Sequence, residues 1–190
     1  MNNIYLVGFM GTGKTAAGSK LAKKLKWQFL DLDDLIELTE KRSISDIFAQ
    51  QGEAYFRRLE KRMLAQVSRE KRFVVACGGG IVCDEENVKT MKETGRVICL
   101  AAEPDVILKR TQKFCHRPLL NVPDPRKQTE LLLKLRAPYY ARADKTIDTT
   151  KLSVKQVVER IIKLVRSSEF GVQSKVKGKN KSRSKSKKKR

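Results

Sequence analysis

An α/β fold, with a parallel sheet covered on both faces by helices, is predicted by three observations. Short apolar runs of strand length alternate along the chain with longer segments of helical period. The first run ends in a glycine-rich loop that passes straight into a helix-forming segment. At 190 residues the chain is long enough for one full-sized domain with its own core. Alternating strands and helices pack most simply as three layers, helix on sheet on helix.

The elements follow in order. NIYLVG (3–8) reads as a buried strand, and KTAAGSKLAKKL (14–25) as the helix after it. WQFLD (27–31) is the second strand and DLIELTEKR (34–42) the next helix. Ser43 opens SISDIFAQQG, and a long amphipathic helix covers 53–70. FVVACGGG (73–80) is a strand running into three glycines, and RVICLAA (96–102) is another strand. PDVILKRTQ (104–112) carries proline in the first turn of a helix. A loop spans about 112–124, and a helix follows over 125–143 that Pro138 is expected to bend or interrupt. KTIDTT (145–150) supplies a last strand. VKQVVERIIKLV (154–165) then places Val154, Val157, Val158, Ile161, Ile162 and Val165 on one helical face.

Composition limits the function classes. Hydrophobic residues make up 40% and charged residues 33%, and no apolar run approaches the roughly 20 residues of a membrane span. MNNIYLVGFMG lacks the basic start and uninterrupted apolar stretch of a secretory signal, so a cytoplasmic protein is expected. Four scattered cysteines without a C-x-x-C pair, and a single His116, offer no zinc site. The net charge is +21, and ten Lys/Arg with no acid fall between Lys175 and Arg190. Nothing after Val176 in that stretch is apolar, so 169–190 is expected to be a disordered basic tail on a domain spanning 1–168. Such a tail either stays solvated or binds polyanions without specificity.

GFMGTGKT (8–15) fits G-x-x-x-x-G-K-[ST] at a strand-to-helix junction. Backbone N–H groups of Gly11, Thr12, Gly13, Lys14, Thr15 and Ala16 would surround phosphates at the helix N-terminus. Lys14 would reach the β- and γ-phosphates of a nucleoside triphosphate, and the Thr15 hydroxyl would ligate Mg²⁺. No N-K-x-D element of a guanine-specific GTPase is present. A small phosphate-loop domain with extra helices between strands suggests a kinase for a small acceptor.

Acceptor chemistry is suggested by side chains at the same sheet edge. Asp31 and Asp33 in FLDLDD end the second strand, where alternation puts both on one side while Asp34 begins the next helix. Gly78, Gly79 and Gly80 end the third strand with bare backbone donors. Arg57 and Arg58 in GEAYFRRLE, Arg117 in HRPLL and Arg136 in LRAPYY supply guanidinium groups suited to a carboxylate or phosphate. Arg57 and Arg58 are equally able to pair with Glu53 or Glu60 along their helix.

Taken together, in this order and spacing, GFMGTGKT, FLDLDD, GEAYFRRLE, CGGGIV, RPLL and RAPYY resemble the shikimate kinase family over about residues 3–166. The resemblance implies a five-stranded parallel sheet of the nucleoside monophosphate kinase type. It also implies transfer of the γ-phosphoryl of ATP to the 3-hydroxyl of shikimate. By the same likeness Asp33 contacts the accepting hydroxyl, Arg57 and Arg136 hold the shikimate carboxylate, and Gly79 and Gly80 form a wall beside it. Arg117 is the lid arginine, Asp31 helps hold Mg²⁺, and Arg110 lies along the adenine or on a solvated helix face. Residues 34–60 correspond to the acceptor-binding region and 112–124 to the lid. TTKLSV has no proline where the family often carries Asn-Pro, so the adenine contacts stay unassigned. A kinase for gluconate or a nucleotide, and a nucleic-acid-binding protein with a vestigial kinase domain, are the alternatives. No surface stripe announces a partner protein, and a monomer is expected.

Overall fold

The computed structural model describes residues 2–111 and 122–167. Five strands, β1 (Asn3–Val7), β2 (Gln28–Asp31), β3 (Phe73–Ala76), β4 (Gly95–Ala101) and β5 (Lys145–Asp148), form one sheet in the order β2-β3-β1-β4-β5. All four pairings are parallel. The central β1 is buried along its whole length, as an apolar run must be when helices cover both faces of a parallel sheet.

Side-chain alternation divides the core in two. Ile4, Leu6, Val74, Ile98 and Leu100 face α1 (Lys14–Leu25) and α7 (Val154–Arg166). Tyr5, Val7, Val75, Val97 and Cys99 face the opposite layer. That layer includes α2 (Leu32–Glu40), α3 (Ile44–Val67), α4 (Glu85–Thr94), α5 (Pro104–Thr111) and α6 (Pro125–Tyr140). β2 and β3 lie to one side of β1, and β4 and β5 to the other, so the order of the strands reverses at β1. The crevice at such a reversal opens at the carboxyl ends of the strands.

Several local expectations change. Asp33 is not at a strand end but in the first turn of α2. The reason is capping: the Asp31 carboxylate accepts a hydrogen bond from the Asp33 backbone N–H at 3.1 Å, which starts the helix at Leu32. Asp31, not Asp34, is therefore the cap. Helix α4 appears where no element was expected, begun by Asp84, whose carboxylate accepts from the N–H of Glu86 at 2.8 Å. Pro138 does not interrupt α6, although its missing N–H takes one hydrogen bond from the last turn. Helix α3 starts at Ser43 as its cap and bends at Gly52, whose φ of 76° departs from helical geometry. The basic tail, residues 112–121 of the lid, and Arg117 with them lie outside the described residues. No helix among the described residues is long and apolar enough to cross a membrane.

Candidate active site

The loop from β1 into α1 turns at Gly11 and Gly13, with φ of 75° and 94°, conformations that glycine adopts without strain. Its shape is held from within. Thr12 donates its hydroxyl to the Phe9 carbonyl at 2.7 Å, and Lys14 Nζ donates to the carbonyls of Gly8 and Phe9, both at 2.9 Å. The ammonium thus lies folded over its own loop, at the mouth of a cleft of about 320 Å³. Gly11 to Ala17 line one side of this cleft, and Arg110, Thr149, Leu152, Val154 and Val157 line the other.

Arg110 ties these walls together. Its Nη2 donates to the Thr149 carbonyl at 2.9 Å, and its Nη1 to the Thr149 hydroxyl at 3.2 Å and the Gly11 carbonyl at 3.4 Å. Leu152 and Val154, in the stretch lacking the expected proline, give the cleft an apolar wall of the kind that suits a flat base. Sequence reading missed this wall, because its members are separated by the whole chain from the loop they face.

Thr15 and Asp31 meet at the end of the sheet. The Thr15 hydroxyl donates to Asp31 Oδ2 at 2.7 Å, while Asp31 Oδ1 takes the Asp33 backbone N–H. Both are hard oxygen donors beside the phosphate loop, the set that suits Mg²⁺ shared with substrate phosphates. No cluster of three or more His, Cys, Asp or Glu among the described residues would hold a metal on its own.

Next to this pair, the three glycines after β3 bring distant arginines together. A Cβ on Gly80 would overlap the Arg57 guanidinium, and one on Gly79 would lie 3.5 Å from Arg136 Nη1 and 3.6 Å from the Gly8 carbonyl. The glycines therefore lie against both arginines, and Gly79 lies beside the start of the phosphate loop as well. A Cβ on Gly78 would lie 3.0 Å from Asp33 Oδ1 and would overlap the Glu60 carboxylate. Tyr140 fixes the wall from behind, its hydroxyl donating to the Gly79 carbonyl at 2.6 Å. Arg136 also lies over the Phe9 ring, 5.9 Å from its centroid.

Glu60, foreseen only as a helix partner for Arg57 or Arg58, lies within the cluster itself. It is wholly buried and pairs with Arg57, which also donates from Nε and Nη2 to Glu53 at 3.1 and 2.8 Å. Helix pairing and a place at the glycine wall thus coexist in Arg57. Burial raises the Glu60 carboxyl to about 7, Arg57 opposes that rise, and the nearby Asp33 adds to it. Its Oε1 has no hydrogen-bond partner among the described residues. The available signal was its spacing, three residues after Arg57 on one helix. Arg58 takes no part in this cluster; it is exposed and lies 5.5 Å from the Tyr55 ring centroid. Burial keeps the thiols of Cys77 and Cys99, near Lys14, well up in their neutral range, the latter at about 11.

Comparison with known proteins identifies a family. The sequence model of the shikimate kinase family matches residues 10–166. A shikimate kinase of Thermodesulfovibrio yellowstonii is 45% identical over 163 residues, covering 86% of this chain and 94% of that protein. One from Thermoanaerobacter pseudethanolicus is 44% identical over 163 residues, covering 86% and 95%. Among solved structures, shikimate kinase from Acinetobacter baumannii in complex with shikimate superposes with a TM-score of 0.85 at 36% identity, covering 91% of this chain and 96% of that one.

Proposed function

The chain belongs to the shikimate kinase family, and from that premise we propose how its residues divide the work. It is an alcohol-directed phosphotransferase, converting ATP and shikimate to ADP and shikimate 3-phosphate, a step of aromatic amino-acid biosynthesis. The observation that carries the assignment of roles is the wall of Gly78, Gly79 and Gly80. Arg57, Arg136 and Asp33 lie against it, and the Gly8 carbonyl at the start of the phosphate loop lies beside Gly79.

ATP enters the cleft beside Arg110, with its phosphates against the N–H groups of Gly11 to Ala16. Lys14 swings from its loop carbonyls to the β- and γ-phosphates and offsets charge there. Thr15 and Asp31 hold Mg²⁺, which when bound neutralises phosphate charge. Arg57 and Arg136 take the shikimate carboxylate through charge-assisted hydrogen bonds, with Gly79 and Gly80 allowing its close approach. Asp33 then faces the 3-hydroxyl, orients it and accepts its proton as the new P–O bond forms. Arg117, outside the described residues, is the lid arginine of the family likeness and offsets charge on the transferring group. The domain of residues 1–168 acts in the cytoplasm as a monomer, and the tail of residues 169–190 binds polyanions. Asp33→Asn tests the central role: turnover falls by roughly two to four orders of magnitude while ATP binding is retained. Near-normal turnover would remove Asp33 from catalysis.

A further inference from the structure

The two helical layers differ sharply in charge. Residues 1–30 contain no acid, and residues 149–167 contain only Glu159. Four lysines fall between Lys20 and Lys26 and five Lys/Arg between Lys151 and Arg166, and all nine are exposed. These residues belong to α1, α7 and their flanks, the layer that covers one face of the sheet. Among the described residues this face shows a single ion pair, Lys24 with Glu159 at 3.9 Å. In the opposite layer cations are neutralised locally, as in Arg42 and Arg62 with Glu40, Lys61 with Asp84, and Arg142 with Glu85.

The charge converges at one place. The last turns of α1 and α7 carry Lys23, Lys24, Lys163 and Arg166. Between them lies a surface hollow lined by Lys24, Ile162, Lys163, Arg166 and Ser167, with Glu159, the ion-pair partner of Lys24, as its one acid. Ser167 is also the last described residue, and the ten Lys/Arg of residues 175–190 follow it in the sequence. We propose that this α1–α7 face is a docking surface for duplex nucleic acid, held through its phosphates without regard to sequence.

Duplex phosphates fit better than the alternatives. A membrane-surface helix needs an apolar side to insert, but Val157, Val158 and Ile161 of α7 are buried against the sheet. The large exposed apolar residues, Leu38, Leu131 and Leu135, lie on α2 and α6 instead. Single-strand binding relies on exposed aromatic platforms, whereas Trp27 and Phe29 on this side pack against the core. A duplex carries a dense charge, about one per 1.7 Å of axis, that needs only a cationic face. The hollow also stands apart from the chemistry. Lys24 lies nine residue steps along α1 from Thr15, or roughly 14 Å, so a polymer seated in the hollow lies away from Thr15.

This proposal is independent of the kinase reading and extends the tail's polyanion role onto the folded body. It is tested in the full chain with Lys24→Gln, Lys163→Gln and Arg166→Gln combined, so that the tail stays intact. Binding to a short labelled duplex is followed by fluorescence anisotropy between roughly 50 and 200 mM salt. The variant is expected to bind about tenfold more weakly, with a salt slope shallower by up to about three. Its shikimate-dependent turnover should be unchanged, which also shows that it is folded. Equal affinity and slope in the variant and the parent chain would overturn the proposal, leaving the tail as the whole of any binding. Absence of duplex binding, or capture by phosphatidylserine vesicles in preference to duplex, would overturn it as well.

Discussion

The nucleotide side of the site and the acceptor side are built by different means. The nucleotide side is mostly main chain: one contiguous loop whose shape is held by Thr12 and Lys14 against its own carbonyls. The acceptor side is mostly side chain, with Asp33 from α2, Arg57 and Glu60 from α3 and Arg136 from α6 meeting at three glycines after β3. A phosphate group is the same in every nucleotide, and a backbone nest is enough to hold it. A particular hydroxy acid needs charges fixed at particular points, and those must be supported. Here the support is a buried carboxylate, and it makes the acceptor side the more fragile half.

That contrast is best broken by changes that touch one half alone. Gly80→Ala should have the largest effect, since its Cβ displaces the Arg57 guanidinium. Shikimate affinity is expected to fall by about a hundredfold or more, with ATP affinity unchanged by calorimetry. On the proposed assignment Arg136→Ala takes away one of two carboxylate contacts and should raise the shikimate KM by about 10- to 100-fold. An unchanged KM would count against its place in the pocket.

Glu60 sharpens the comparison through pH. Its carboxyl is raised from the usual carboxylate range to about 7 in the folded protein, chiefly by burial. The folded state therefore binds more protons than the unfolded chain between the ordinary carboxylate range and about pH 7, and stability from this group is lost as pH rises through that window. Glu60→Gln should flatten this part of the stability–pH curve measured by urea unfolding. An identical curve in parent and variant would show that Glu60 does not titrate there. Arg58→Ala should do least of all, leaving the shikimate KM and the melting temperature nearly unchanged, although it adjoins Arg57. It is exposed and stays outside the cluster at the wall.

The same division explains what could be read from the chain. The phosphate loop, the 14–25 bounds of α1 and the buried strands are local patterns of a few residues, and they stand as expected. Asp33 was found as a carboxylate but misplaced on a strand, because the competing hydrogen bond from its N–H to Asp31 decides where α2 begins. α4 was missed although its cap and first-turn acids, Asp84, Glu85 and Glu86, are a legible helix start. Glu60 was legible only as a helix partner of Arg57, and the apolar wall of Leu152 and Val154 not at all, for another reason. Their significance lies in what they face, and residues far away in the chain supply it.

The most direct measurement is coupled ADP release from ATP and Mg²⁺ with shikimate, gluconate and nucleoside monophosphates offered in turn as acceptors. The account predicts turnover with shikimate alone, because only its carboxylate and ring hydroxyl match the Arg57–Arg136 pair and Asp33 across the glycine wall. Turnover with gluconate or a nucleotide and none with shikimate would contradict it.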